Sequence, residues 1–179
     1  GGDYWVDIDQ FAEQDFEDPN LAQNDLQEIN RVVYNGDIFG YNYNIHVNKN
    51  EAFGEYNFNT SKIESFVGLT LSNSSFWRNG IMQNGRFPDN SLGNSEKENF
   101  YNYGAKVGFL YKITGRHLIS FNGLYKTEAP YVRNAYVSPR TRDQLVPNLT
   151  SIEIISGDLN YNIRLPFLKA RLSGFYTQI

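Results

Sequence analysis

Apolar and polar residues alternate with a period of two through most of this chain. From Tyr101 the odd positions read Tyr101, Tyr103, Ala105, Val107, Phe109, Tyr111 and Ile113; the even ones read Asn102, Gly104, Lys106, Gly108, Leu110 and Lys112. Successive side chains of a strand point to opposite faces, so this run predicts a strand with one aromatic-apolar face and one polar or glycine face. Thr114-Gly115 supplies a tight turn. Ile119, Phe121, Gly123 and Tyr125 then alternate with Ser120, Asn122, Leu124 and Lys126. Ile155, Gly157, Leu159, Tyr161 and Ile163 alternate with Ser156, Asp158, Asn160, Asn162 and Arg164. Leu165-Pro166-Phe167 ends that run, because proline cannot continue an interior ladder. Leu168, Ala170, Leu172, Gly174 and Tyr176 alternate with Lys169, Arg171, Ser173, Phe175 and Thr177. Upstream, Ala52, Gly54, Tyr56 and Phe58 alternate with Glu51, Phe53, Glu55 and Asn57. After a turn at 59–62, Ile63, Val67, Leu69 and Leu71 oppose Glu64, Gly68, Thr70 and Ser72.

The connections predict the architecture. The turns at 59–62, 114–116 and 165–167 are tight, whereas 78–100 and 128–151 are long, and the two kinds alternate along the chain. Outer-membrane barrels alternate short periplasmic turns with long extracellular loops, and their strands need about 9–11 residues. The expected fold is therefore all-β, an antiparallel up-and-down transmembrane β-barrel segment with long extracellular loops at 78–100 and 128–151. Residues 1–50 form an acidic extracellular loop and strand extension, with Asp37–Val47 as the upper part of a long strand; residues 51–179 form the wall. A soluble β-sandwich also gives alternating strands. Loop parity and strand length favour the barrel.

Composition agrees with that choice. Tyr (13), Phe (13) and Gly (15) are abundant, yet mean hydropathy is −0.53, as expected when alternate residues face lipid and water. No run of 18 apolar residues predicts a spanning helix. With no cysteine, disulfides and thiolate metal sites are excluded. Residues 1–30 hold nine acids and no Lys or Arg, leaving 16 basic and 11 acidic residues in the remainder. No dense basic stripe exists, so nucleic acid is not an expected partner.

Enzyme chemistry finds little support. The two histidines read as polar surface residues, His46 on a polar strand face and His117 just after a tight turn, and no nucleophile elbow, P-loop or metal-ligand spacing occurs. Asp7, Asp9, Glu13, Asp15, Glu17 and Asp18 are oxygen donors of the kind calcium takes, but Ala12 stands where an EF-hand loop needs glycine. A solvated acidic loop is the preferred reading, with neither metal nor cofactor. The candidate ligand contacts are Phe76, Trp77 and Arg78, expected as exposed aromatics beside a guanidinium at a strand–loop junction, or as an interface-belt Trp with an Arg reaching headgroups. Tyr131, Arg133, Tyr136, Arg140 and Arg142 form a second group, suited to an anionic ligand or, preferably, to pairing with the acidic segment 3–28.

Four stretches carry a family resemblance: Asp3-Tyr4-Trp5-Val6-Asp7-Ile8-Asp9-Gln10-Phe11, Phe39-Gly40-Tyr41-Asn42-Tyr43-Asn44-Ile45-His46-Val47-Asn48, Asn134-Ala135-Tyr136-Val137-Ser138-Pro139-Arg140, and Leu168-Lys169-Ala170-Arg171-Leu172-Ser173-Gly174-Phe175-Tyr176. Together they resemble TonB-dependent outer-membrane receptors of the Bacteroidota type. The resemblance implies a plugged barrel of many strands in the bacterial outer membrane that imports a nutrient without making or breaking bonds. It places this chain as an internal stretch of such a barrel, since no plug precedes the strands and Ile179 is not the aromatic that usually closes one. Outer-membrane lipid, the rest of the barrel and plug, TonB acting through that plug, and a surface lipoprotein are the implied partners. A soluble β-sandwich carbohydrate-binding module is the competing expectation, and an adhesive surface barrel a third.

Overall fold

A computed structural model describes residues 16–179. Strands dominate it: β1 (Tyr43–Asn59), β2 (Ile63–Gly80), β3 (Gly93–Asn94), β4 (Glu98–Lys112), β5 (His117–Glu128), β6 (Ile152–Arg164) and β7 (Lys169–Gln178). Helical structure is confined to a 3-10 turn at Pro19–Ala22 and one short helix, α1 (Val132–Ala135). The chain is all-β. The strands form one sheet in the order β1-β2-β4-β5-β6-β7, with β3 paired to β2. The registers of β4/β5, β5/β6 and β6/β7 are antiparallel. Short turns at 60–62, 113–116 and 165–168 alternate with long connections at 81–97 and 129–151. Among the described residues the sheet is open, and β1 and β7 are its edges.

Several boundaries differ from those expected. β2 runs to Gly80 and β4 begins at Glu98, so the long connection is shorter than expected, while Phe76–Gly80 end the strand where it enters that connection, as expected. The expected strand over Asp37–Val47 forms only from Tyr43. Gly36 and Gly40 sit at φ +104° and +85°, a left-handed conformation that glycine adopts freely and that interrupts an extended chain.

The chain divides into two compact units that interleave in sequence. The loop unit gathers the described residues up to Val47, Phe76–Glu98 and Tyr131–Leu149; the sheet unit comprises Asn48–Ser75, Asn99–Pro130 and Thr150–Ile179.

In the sheet unit, register aligns like residues across strands. Phe109 lies opposite Phe121, Phe121 opposite Leu159, and Leu159 opposite Gly174. That apolar row is uncovered: Phe109, Phe121 and Leu159 are 42%, 43% and 56% exposed. Tyr103, Leu69 and Leu71 on the same face are exposed as well. The other face carries the polar partners. Lys106 pairs with Glu55 at 2.6 Å and Lys112 pairs with Glu64. Asn122 donates to Asp158 at 3.0 Å, and Asn160 accepts from Arg171. By strand alternation, every charged strand residue of this unit stands on that polar face except Glu153, near the start of β6. Exposed ion pairs of this kind contribute only about 0–1 kcal/mol each. Their significance lies in the sorting of charge to one side.

The sheet unit thus inverts the usual arrangement, in which a sheet buries its apolar face. Of the buried apolar side chains among the described residues, Phe76, Met82, Ala135 and Tyr136 belong to the loop unit, and only Phe100 and Leu118 to the sheet unit.

Candidate functional site

The loop unit is built around an arginine. Arg78, near the end of β2, is 1% exposed. Its Nε donates to the Pro139 carbonyl and its Nη1 to the Ser91 carbonyl, each at 2.7 Å. Its backbone N–H donates to Ser95 Oγ at 2.9 Å, while its carbonyl accepts from the Ser95 N–H at 2.8 Å. The guanidinium also lies 5.2 Å from the centre of the Tyr43 ring. One side chain therefore ties the 81–97 connection to the 129–151 connection and packs on the start of β1. A guanidinium suits this task because its planar fork presents several donors in fixed directions. Burial holds the Arg78 pKa below its ordinary value, with the charge of Asp143 opposing that shift.

Local backbone geometry makes the clamp possible. β3 pairs with the end of β2 through Asn79↔Asn94 and Gly80↔Gly93. At Gly80 an added Cβ would stand 1.7 Å from the Ser91 oxygen that Arg78 binds. Only glycine lets that carbonyl approach. Beside the clamp, Phe76 meets Tyr136 edge-on at 6.0 Å, and the Tyr136 hydroxyl lies 3.4 Å from Ser95 Oγ.

Burial, and secondarily the charge of Asp143, push the Tyr136 hydroxyl above its ordinary pKa of 10.0, with the Ser95 contact opposing. A group whose folded pKa is raised contributes stability that is full below its unfolded value and is lost as pH rises through the folded one. Relative to Tyr136→Phe, the native protein should therefore lose stability progressively from pH 10 upward. Urea midpoints of the two proteins, compared across that range, check this: a constant difference at every pH would refute it.

The residues proposed from sequence separate into two groups. Phe76, Arg78 and Tyr136 are buried, so the expectation of exposed ligand contacts fails for these three; they hold the loops together. Tyr131, Arg133 and Arg140 are exposed, and Trp77 and Arg142 are half-buried. Arg140 stacks on Tyr41 at 5.1 Å and Arg142 on Phe87 at 4.2 Å. The preferred pairing of these arginines with the acidic segment is not found among the described residues. Asp25 instead accepts from the Gln83 backbone N–H at 3.1 Å, and Leu26 donates to the Gln83 carbonyl at 2.8 Å. Asp18 caps the 3-10 turn through the Asn20 N–H at 2.9 Å. Asp7, Asp9, Glu13 and Asp15 lie outside the described residues. Among those described, no group of three His, Cys, Asp or Glu could hold a metal ion.

Sequence reasoning missed three contributors, His46, Lys97 and Tyr41. His46 stacks on Trp77 with centroids 4.9 Å apart and planes at 13°, and Lys97 sits 5.2 Å from the same ring. Tyr41 lies 5.9 Å from Tyr43, beneath Arg140. The one signal, for Tyr41 alone, was its i, i+2 spacing from Tyr43. His117 opens β5 just after the tight turn and is satisfied as a polar residue, as expected: its Nδ1 is 2.7 Å from the Tyr161 hydroxyl.

Chemically, the exposed part of the loop unit offers aromatic rings beside cations. Such pairs stack on ring faces and direct hydrogen bonds to polar ligands. No family model matches the chain, and no curated protein or solved structure matches it at a significant level.

Proposed function

We propose that this chain forms part of the wall and outer loops of a bacterial outer-membrane β-barrel, a TonB-dependent receptor that binds and imports a nutrient. The carrying observation is the uncovered apolar face: Phe109, Phe121 and Leu159 align across three strands and remain exposed, while charge is sorted to the opposite face. An exposed apolar area of this extent marks an interaction surface, and hydrocarbon is the partner that suits a face free of charge over most of its strands. Barrel walls alternate apolar outward and polar inward residues in this way. Tyr101 and Tyr111 lie ~33 Å apart along β4, or ~25 Å along the axis of a barrel tilted at ~40°, the height of an aromatic-girdled apolar band. A sandwich needs a second sheet, and the described residues form one. The aromatic–cation pairs Trp77/Lys97 and Tyr41/Arg140 are the favoured ligand contacts.

The full-length protein, produced in a Gram-negative host, should fractionate with the outer membrane and resist alkaline extraction. Its deletion should abolish energised uptake of the ligand, and an uncoupler should do the same. Recovery as a monomer in detergent-free buffer would refute the wall assignment. Uptake that persists without the proton gradient would refute the receptor assignment alone.

A further inference from the structure

The apolar face of the sheet unit is not uniform. A groove of about 490 Å³ opens across β1, β2 and β4, lined on that face by Asn50, Ala52, Leu71, Asn73, Tyr101 and Tyr103. Tyr101 and Leu71 are 80% and 67% exposed, so the groove is open to whatever surrounds the sheet. Its chemistry changes along the strands. Asn50, Asn73 and Tyr101 lie toward the long connections, whereas Ala52, Leu71 and Tyr103 lie toward the short turns. Amides therefore stand at one end and aliphatic carbon at the other. Charged Glu51 occupies the alternate position, whose side chain alternation sends to the polar face.

We propose that this groove holds one acyl chain of a membrane lipid, an inference that rests on the membrane reading above. Ala52 makes the low side of the groove, because its small side chain on the edge strand β1 leaves room beside Leu71 of β2, with the two tyrosines of β4 on the far side of Leu71. The rings of Tyr101 and Tyr103 flank the chain, offering large apolar area with hydroxyls that can stay wet. Asn50 and Asn73 supply amide donors and acceptors at the level of the ester linkage, suiting a lipid whose head points toward the long connections. A chain of either charge at its headgroup satisfies these contacts, since the groove itself carries no ion. The volume falls within the ~300–1,000 Å³ range of small-ligand sites. A seated chain is thereby held longer than the bulk lipid that wets the rest of the face.

The test uses the full-length protein in nanodiscs containing phosphatidylethanolamine with a diazirine in its acyl chain. Photolysis and peptide mapping then report labelling at Leu71 and, for comparison, at Leu159. Leu71 should be labelled about tenfold more, the ratio that ~1.4 kcal/mol of preferential binding gives. Ala52→Trp, which fills the space beside Leu71, should bring Leu71 down to the Leu159 level and leave Leu159 unchanged. Tyr101→Ala removes a wall and should act in the same direction, so a failure of the first variant to insert does not end the test. Equal labelling at both positions, unmoved by either substitution, overturns the groove while keeping the membrane-facing wall. Absence of labelling at both overturns the wall as well.

Discussion

Replacing Leu159 by arginine should destabilise the protein in lipid vesicles by ~1–3 kcal/mol, since its row lies between the midplane of a membrane barrel, where arginine costs ~2–4 kcal/mol, and the interface, where it costs ~0–1. Leu159 is 56% exposed, and for an exposed residue of a protein in water such a change is usually worth within about ±0.5 kcal/mol. The two expectations differ by ~1–2 kcal/mol at one position. Leu159 is well placed for the comparison because its row, with Phe109 and Phe121, lies between the levels of Tyr101 and Tyr111. An arginine at Asn122 provides the control. Asn122 is on the polar face, where it donates to Asp158, so a cation there has a carboxylate beside it. Urea unfolding in vesicles should show a large loss for Leu159→Arg and a change below about 1 kcal/mol for Asn122→Arg. If both change little, Leu159 faces water and the membrane assignment is wrong.

Much of the sheet was legible because its signal is local. Period-two alternation needs no knowledge of distant partners, and the set Tyr103, Val107, Phe109 and Tyr111 was divided from Asn102, Lys106 and Gly108 before any fold existed. The register of β5 against β6 follows from the same pattern, since a slip of one residue would set Phe121 against Asp158 or Asn160 on the wrong side. The loop unit was far less legible. Arg78 stands in Phe-Trp-Arg-Asn-Gly, a polar-looking junction, and arginine is seldom fully buried. Its acceptors are the carbonyls of Ser91 and Pro139. Backbone carbonyls exist at every position, so no residue type announces them. The described part of the acidic segment was hard to place for a related reason. Charge complementarity suggested the arginines of the 129–151 connection, whereas Asp25 serves a backbone N–H, a role that any short carboxylate near a turn can fill. The interruption of the strand before Tyr43 was within reach, since Gly36 and Gly40 are where a chain can turn left-handed.

The burial of Arg78 makes its own prediction. Arg78→Met keeps the volume and removes both side-chain donors, leaving the Ser91 and Pro139 carbonyls without that partner. Each buried acceptor left unpaired costs ~1–3 kcal/mol, so the loop unit should lose ~3 kcal/mol against opening. Arg78→Lys keeps the charge but replaces a planar fork by a single ammonium; it should retain part of the loss. These costs fall on local opening rather than on the whole protein, because the sheet unit draws on separate bonds such as the His117–Tyr161 contact. Amide hydrogen exchange separates the two. The Ser95, Val137 and Val146 amides, which donate to Arg78, Gln144 and Ala135, should exchange ~100-fold faster in Arg78→Met, while amides of β5 and β6 keep their protection. Unchanged exchange at all three would mean that the connections hold their shape without the arginine. Faster exchange in β5 and β6 too would mean that Arg78 supports the sheet as well as the loops. The expected pattern, loops freed and sheet intact, should also lower ligand uptake without removing the protein from the membrane. Trp77, Tyr41 and Arg140 would remain present, but the connections that arrange them would no longer be tied together.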